Sequence, residues 1–358
     1  MQLTKRRNAT MALALSLQRI IPLFSTAAFN HCTCRNRSTN SVRTFHHRLK
    51  SSTSASRDDP SLTSQASCYN HLKQSRPIRI QAKALHPRDA VNAKAALANN
   101  NNSSITKLVH FQRHGQGTHN QLYKEWTDRT GIPIDLSETD PKLNPLLLPD
   151  IIDAPLTQKG RDQCRAQLTE KGEYLGGVEL IVVSPLVRAL ETACITFEEH
   201  LPTSTNTNDE RRGVKWIAHE GLREELGLLL CNQRRGLKET LVEFPHVDFS
   251  LLEHHDDDEN DEDVYWRKYC EQILINNADG TPKRESIEDM SHRAYAFLVE
   301  YLYHRPEKEI AVVGHSAWLL AMTNAVLDFA EESGELEQFG KMFGQAELRS
   351  ATLTFTEK

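Results

Sequence analysis

Four short apolar runs along the chain each end abruptly in a polar break marked by glycine or serine. Leu108-Val109-His110-Phe111 runs into Gln112-Arg113-His114-Gly115, and Leu180-Ile181-Val182-Val183 into Ser184-Pro185. Val214-Lys215-Trp216-Ile217-Ala218 leads to Leu222-Arg223-Glu224, and Ile310-Ala311-Val312-Val313 to Gly314-His315-Ser316. Runs this short and rich in β-branched residues read as buried strands, and the stretches between them carry helical periodicity. The pattern predicts strands over 106–111, 178–183, 214–218, 309–313 and 347–355. It predicts helices over 158–172, 185–200, 286–304 and 315–330, the first opened by Thr157 as N-cap. Strands alternating with helices imply an α/β fold, a three-layer α/β/α sandwich with a mostly parallel sheet. The last segment, Glu347 to Phe355, alternates with period two and is expected at a sheet edge.

Two connections, at about 120–155 and 228–285, are too long for ordinary turns and are expected to carry pocket walls. Before residue 105 the pattern fades. Residues 58–104 are rich in Ser, Asn and Gln and end in the tract Asn99 to Asn102, so they read as a disordered linker to a domain spanning 105–358.

Charge adds a third segment. Residues 1–57 contain no Asp or Glu and ten Lys or Arg, among many Ser and Thr. That is the composition of an organelle transit peptide, with a mitochondrial matrix or plastid stroma as destination and the cytoplasm as the alternative. Met11 to Leu17 and Ile20 to Phe24 also suggest a secretory signal, but Gln18 and Arg19 interrupt it. Neither run approaches the about 20 residues of a membrane span. A basic tail binding nucleic acid is the competing reading, and it has no aromatic stacking pattern and no recognised nucleic-acid fold. The whole chain carries −5, which leaves about −15 outside the basic segment, so any anion site must be a local concentration of cations.

Such a concentration is what the strand ends offer. Parallel strands would bring Arg113, His114, Arg188 and His315 to one edge of the sheet, with the carboxylates of Leu222-Arg223-Glu224-Glu225 beside them, and ligands of open α/β sheets bind at that edge. Guanidinium forks match phosphate oxygens bidentately, and a neutral imidazole can attack phosphorus. This residue set therefore suits a phosphate monoester.

Here the chain resembles the histidine phosphatase superfamily, the phosphoglycerate mutase-like family, over roughly its last 250 residues. The resemblance rests on Arg113-His114-Gly115, on Asn120 six residues after His114, on Ser184-Pro185-Leu186-Val187-Arg188-Ala189-Leu190-Glu191-Thr192-Ala193, on Leu222-Arg223-Glu224 and on Gly314-His315. Ala154-Pro155-Leu156-Thr157 is a further family-like piece. Gln116-Gly117-Thr118-His119-Asn120 and Asp248-Phe249-Ser250-Leu251 look most like its plant and fungal branch. The resemblance implies a phosphomonoester hydrolase for a small phosphorylated metabolite, without metal or cofactor. It implies His114 as the residue phosphorylated, Glu224 as general acid, and Arg113, Asn120, Arg188, His315 and Ser316 around the phosphoryl group. Glu220 and Glu225 are rivals for the acid role. Mutase-type transfer is the alternative activity. Gln116, His119 and Arg223-Glu224-Glu225-Leu226-Gly227 depart from the mutase pattern, while Arg234-Arg235 offers a possible second anion site. A non-catalytic module of the same fold is the alternative from another class, and none of the expected residues is missing.

Other features have plainer readings. The seven cysteines are scattered and look reduced, Cys164 and Cys194 being helical core positions. His31-Cys32-Thr33-Cys34 lacks the second half of a zinc site. The acidic run Asp256 to Asp263 fails the calcium-loop template, with Asp261 where glycine is needed, and reads as a solvated loop. His110 is expected to hydrogen-bond internally, whereas His119 is left open as a pocket residue. Partner chains and oligomeric state have no signature.

Overall fold

The computed structural model describes residues 71–93 in part, and 105–202, 213–252, 261–276, 284–329 and 339–358. Residues 1–57, read above as a transit peptide, lie outside the described residues.

In chain order the main elements are β1 (Ile78–Leu85), β2 (Ile105–Arg113), α1 (Thr118–Thr130), α2 (Gln158–Leu175), β3 (Leu180–Val183), α3 (Val187–Thr196) and β4 (Lys215–Ala218). There follow α4 (Leu237–Glu243), β5 (Val247–Asp248), α5 (Val264–Asn276), α6 (Ile287–Ala296), β6 (Glu309–Gly314), α7 (Ser316–Ala325), β7 (Asp328–Phe329) and β8 (Leu348–Glu357). A π-helical turn over Phe297–Leu302 continues α6. The strands form one sheet in the order β5-β4-β3-β6-β2-β8-β1-β7. Every neighbouring pair is parallel except the two that involve β8, which runs antiparallel to β2 and β1.

Alternate residues of the central strands feed two cores. Val109, Phe111, Leu180, Val182, Ile310 and Val312 pack on one side with Trp318 and Leu319 of α7 and Leu298 and Leu302 of the π turn. Ile181, Val183, Ala311 and Val313 pack on the other with Val187, Leu190 and Ala193 of α3. A sheet buried on both faces in this way is the three-layer α/β sandwich expected from the pattern.

Two expectations are corrected. The stretch 58–104 is not linker throughout, because β1 pairs with β8 along its whole length, from Ile78 opposite Glu357 to Leu85 opposite Ser350. It buries Ile80 and Ala82, and Arg76 just before it donates to the Ala325 carbonyl at 2.8 Å. Strand β8 is consequently interior rather than an edge. Its polar side chains find partners across the ladder, as Thr354 does with Thr106 at 3.1 Å. The short β5 and β7 form the two edges, a length that limits edge-to-edge pairing.

The two long connections meet each other. Ile134, Leu146, Ile151 and Ala154 of the first share a small apolar cluster with Leu229 and Cys231 of the second, and Leu122, Tyr123 and Trp126 of α1 pack against it. Asp153 fixes the junction. Its carboxylate accepts from the Val187 N–H at 2.8 Å and the Arg235 N–H at 3.0 Å, so both insertions are tied to the start of α3.

The acidic run is also corrected over its described end. Asp263 is buried rather than solvated, where it accepts from both terminal nitrogens of the equally buried Arg223 at 2.8 and 2.6 Å. Asp261 accepts from the Leu237 and Lys238 N–H groups at 2.8 Å each and so caps α4.

Candidate active site

Parallel register brings the carboxyl ends of β2, β6, β3 and β4 to one edge. Arg113 stands opposite Gly314, and Val183 opposite both Val313 and Ala218. The ladder continues one step into the loops: the His114 N–H donates to the Gly314 carbonyl at 3.0 Å and the Ser184 N–H to that of Val313 at 3.0 Å. Backbone pairing thus fixes where His114 and the residues after Val183 and Gly314 emerge. Gly115 is required at the turn because a Cβ there would lie 2.6 Å from the Gly160 carbonyl oxygen of α2.

His114 and His315 are buried, with ring centroids 5.1 Å apart. The Nδ1 of His114 lies 2.6 Å from the Gly115 carbonyl oxygen, which can only accept, so Nδ1 carries the proton. In the neutral ring the lone pair is then on Nε2. Neutrality is enforced: burial, then the guanidiniums of Arg188 and Arg113, hold the His114 pKa well below the usual imidazole range. His315 is likewise held neutral by burial and by Arg188. Its Nε2 pairs with the Ser184 hydroxyl at 2.8 Å, and its Nδ1 is buried without a partner.

Arg188, on the first turn of α3, is fully buried and gripped only by neutral acceptors. Nη1 donates to the Cys231 carbonyl at 2.6 Å and Nη2 to Oδ1 of Asn232 at 2.9 Å. Arg113 donates Nη1 to the Phe343 carbonyl at 2.7 Å. The Nε of each arginine is buried and unpartnered. Two cations whose nearest acceptors carry no charge keep their field available to an anion.

Glu224 lies at the start of α7, accepting from the Ala317 N–H at 3.2 Å and the Ser316 hydroxyl at 3.2 Å. Its charge raises the pKa of both Arg113 and Arg188 against the effect of burial, so it stands near the same cluster. Glu225 is ion-paired with Arg284, and burial pushes its carboxyl up to about 7. Glu220 is buried beside Arg223, at 3.3 Å from its Nη1. Among the three carboxylates, Glu224 is the one hydrogen-bonded to the first turn of α7.

The structure thus brings together Arg113, His114, Arg188, Glu224 and His315. Asn120 takes a different first task, its Oδ1 accepting from the Gly117 N–H at 3.0 Å to cap α1 and leaving its amide N–H groups to donate elsewhere. Ser316, expected at the phosphate, instead gives its hydroxyl to Glu224. Thr157 is the N-cap of α2, accepting from Gly160 at 3.0 Å. His110 bonds internally to Ser350 at 2.8 Å. Of the two arginines read as a second anion site, Arg235 is paired with Glu243, and Arg234 is buried with its charge set against those of Asp263 and Glu220 and its Nε and Nη2 without a partner. Cys231 and Asn232, which hold Arg188, have no motif of their own; only their place in the second insertion hinted at a role. Among the described residues no cluster of three or more His, Cys, Asp or Glu could hold a metal ion, and no helix is long and apolar enough to cross a membrane.

No family model matches the chain. It is 31% identical over 270 residues to phosphoglycerate mutase-like protein 1 of Arabidopsis thaliana, covering 69% of this chain and 81% of that protein. A second Arabidopsis protein, phosphoglycerate mutase-like protein, is 29% identical over 231 residues, covering 60% of this chain and 72% of its own length. The fission yeast protein named "Probable phosphatase SPAC513.02", from Schizosaccharomyces pombe, is 27% identical over 215 residues, covering 59% and 74%.

Proposed function

The chain belongs to the phosphoglycerate mutase-like family of the histidine phosphatase superfamily, and on that premise we propose that it hydrolyses phosphate monoesters of small metabolites through a phosphohistidine on His114. The observation that carries this reading is the 2.6 Å contact from Nδ1 of His114 to the Gly115 carbonyl, which leaves Nε2 as an unprotonated nucleophile beside Arg113, Arg188 and His315.

In the first step Nε2 attacks phosphorus, the P–O bond to the alcohol breaks, and Glu224 gives its proton to the departing alkoxide. Arg113, Arg188, His315 and the Asn120 amide hold the three equatorial oxygens, whose charge they stabilise without reorganising. In the second step water attacks the phosphohistidine, Glu224 takes the water's proton, and the P–N bond breaks to release inorganic phosphate. The arginines and imidazole supply the charge stabilisation, so neither metal nor cofactor takes part.

Hydrolysis is favoured over mutase transfer by the fate of Arg234 and Arg235. A mutase must hold a second phosphorylated end, and these two cations are already balanced by Asp263, Glu220 and Glu243. The test is release of inorganic phosphate from a panel of phosphorylated metabolites, with and without a chelator. Turnover unaffected by chelator is expected; transfer between two positions of a substrate without phosphate release would make the mutase reading the right one.

A further inference from the structure

His119, in the first turn of α1, brings a third imidazole to the cluster. Its ring centroid is 5.6 Å from that of His114, and its Nδ1 is buried with no hydrogen-bond partner. A buried nitrogen left unsatisfied costs about 1–3 kcal/mol, so its persistence points to a partner gained on binding.

The loop is shaped to admit this ring. A Cβ at Gly117 would lie 2.6 Å from both Cε1 and Nδ1 of His119, and 3.5 Å from Cδ of Arg188. The Gly117 backbone, at φ −86° and ψ 162°, is open to any residue, so glycine serves here by its missing side chain rather than by conformational freedom. Asn120 caps the same turn and pins α1 in place. Burial and the guanidiniums of Arg188 and Arg113 hold His119 neutral, so it can still donate one N–H without adding charge.

We propose that His119 is a direct contact of the transferred phosphoryl group, donating from Nδ1 to one of its oxygens alongside Arg113, Arg188 and His315. This rests on the reading of His114 as phosphoryl acceptor. It adds a residue that the helix-forming insertion, rather than a strand end, delivers to the site. The role gives the first insertion a second place in the anion cradle, beside Asn120: α1 must be docked for this fifth donor to be in place.

The test is calorimetric binding of inorganic phosphate to the full chain, which needs no turnover. His119→Ala should weaken phosphate about tenfold to a hundredfold, the range for a hydrogen bond to a charged group. Gly117→Ala, which keeps the imidazole but displaces it, should weaken phosphate in the same direction. His119→Gln retains an N–H donor and should recover part of the loss, which a merely structural role would not produce. If His119→Ala fails to fold, Gly117→Ala and His119→Gln decide. Phosphate affinity within about twofold of wild type in the variants would overturn the proposal, whether or not turnover of alkyl phosphates falls; a fall in turnover alone would place His119 against the alcohol instead. Absence of phosphate on His114 in wild type, with phosphate binding still dependent on His119, would refute the nucleophile and leave this contact standing.

Discussion

Asp263→Ala probes what holds the second insertion to the site. Both side chains of the Arg223–Asp263 pair are 0% exposed, and four donors converge on the carboxylate: two from Arg223, the Arg234 N–H at 2.7 Å and the Trp266 N–H at 3.1 Å. Breaking a buried pair by removing one partner costs about 3–5 kcal/mol. Each orphaned backbone donor adds about 1 kcal/mol. Glu220, 3.3 Å from Arg223, offsets part of the stranded charge, which places the expected loss near 4 kcal/mol. For a domain of this size that lowers Tm by about 8–16 °C. The difference should also depend on pH. Arg223 holds the Asp263 carboxyl below its ordinary value, so the stabilisation is fully present above the unfolded-state pKa of about 3.9 and is lost as pH falls through the lower folded value. Urea and thermal unfolding of wild type and variant at neutral pH are the assay. A loss below about 1 kcal/mol would refute the view that this pair clamps the insertion. Because Arg223 also donates to the Asn232 carbonyl at 2.7 Å, and Asn232 holds Arg188, variant that still folds should bind phosphate more weakly.

Glu224→Gln should slow alkyl phosphates by roughly 10²–10⁴ while sparing the burst with p-nitrophenyl phosphate, whose leaving group needs no proton; equal losses in pre-steady-state bursts would move the acid role to Glu225, whose carboxyl burial pushes up to about 7. Since His114 must be neutral to attack and its pKa is depressed, kcat/KM should show no acid limb from this group near pH 6.5, only at lower pH; a limb at the ordinary imidazole value would contradict the buried, arginine-flanked environment. Deleting residues 1–95 removes β1 and exposes one side of β8, so soluble, folded protein should be lost, whereas deletion ending before residue 71 keeps every described contact; equal stability of the two truncations would show β1 to be dispensable. The organelle address proposed for residues 1–57 predicts that this segment redirects a fused fluorescent protein, and diffuse fluorescence would rule it out.

The residues of the cluster were legible in the sequence because strand ends are sharp events: an apolar run stops, and the next residues are Arg113-His114-Gly115 or Gly314-His315. Register then follows from parallel pairing. What escaped reading lacks such local contrast. The segment Ile78 to Leu85 does alternate, but only Ile80 and Ala82 become buried, and the Ser- and Asn-rich surroundings dominate its composition. The alternation of β8 is correct as a strand signal and uninformative about position, because threonines serve an interior ladder as well as an edge. The partners of Arg223 and Arg188 lie 40 and 44 positions away, so no spacing rule connects them. Asn120 shows a motif residue with a structural task that the motif does not announce.

The central claim is that Nε2 of His114 accepts the phosphoryl group. Rapid acid-free quenching of the enzyme during turnover of a phosphomonoester, followed by mass spectrometry of its peptides, should find an acid-labile phosphate on His114, absent in His114→Ala, which should also be inactive. Full turnover with no phosphorylated His114 at any quench time, or an adduct that persists in His114→Ala, would contradict it.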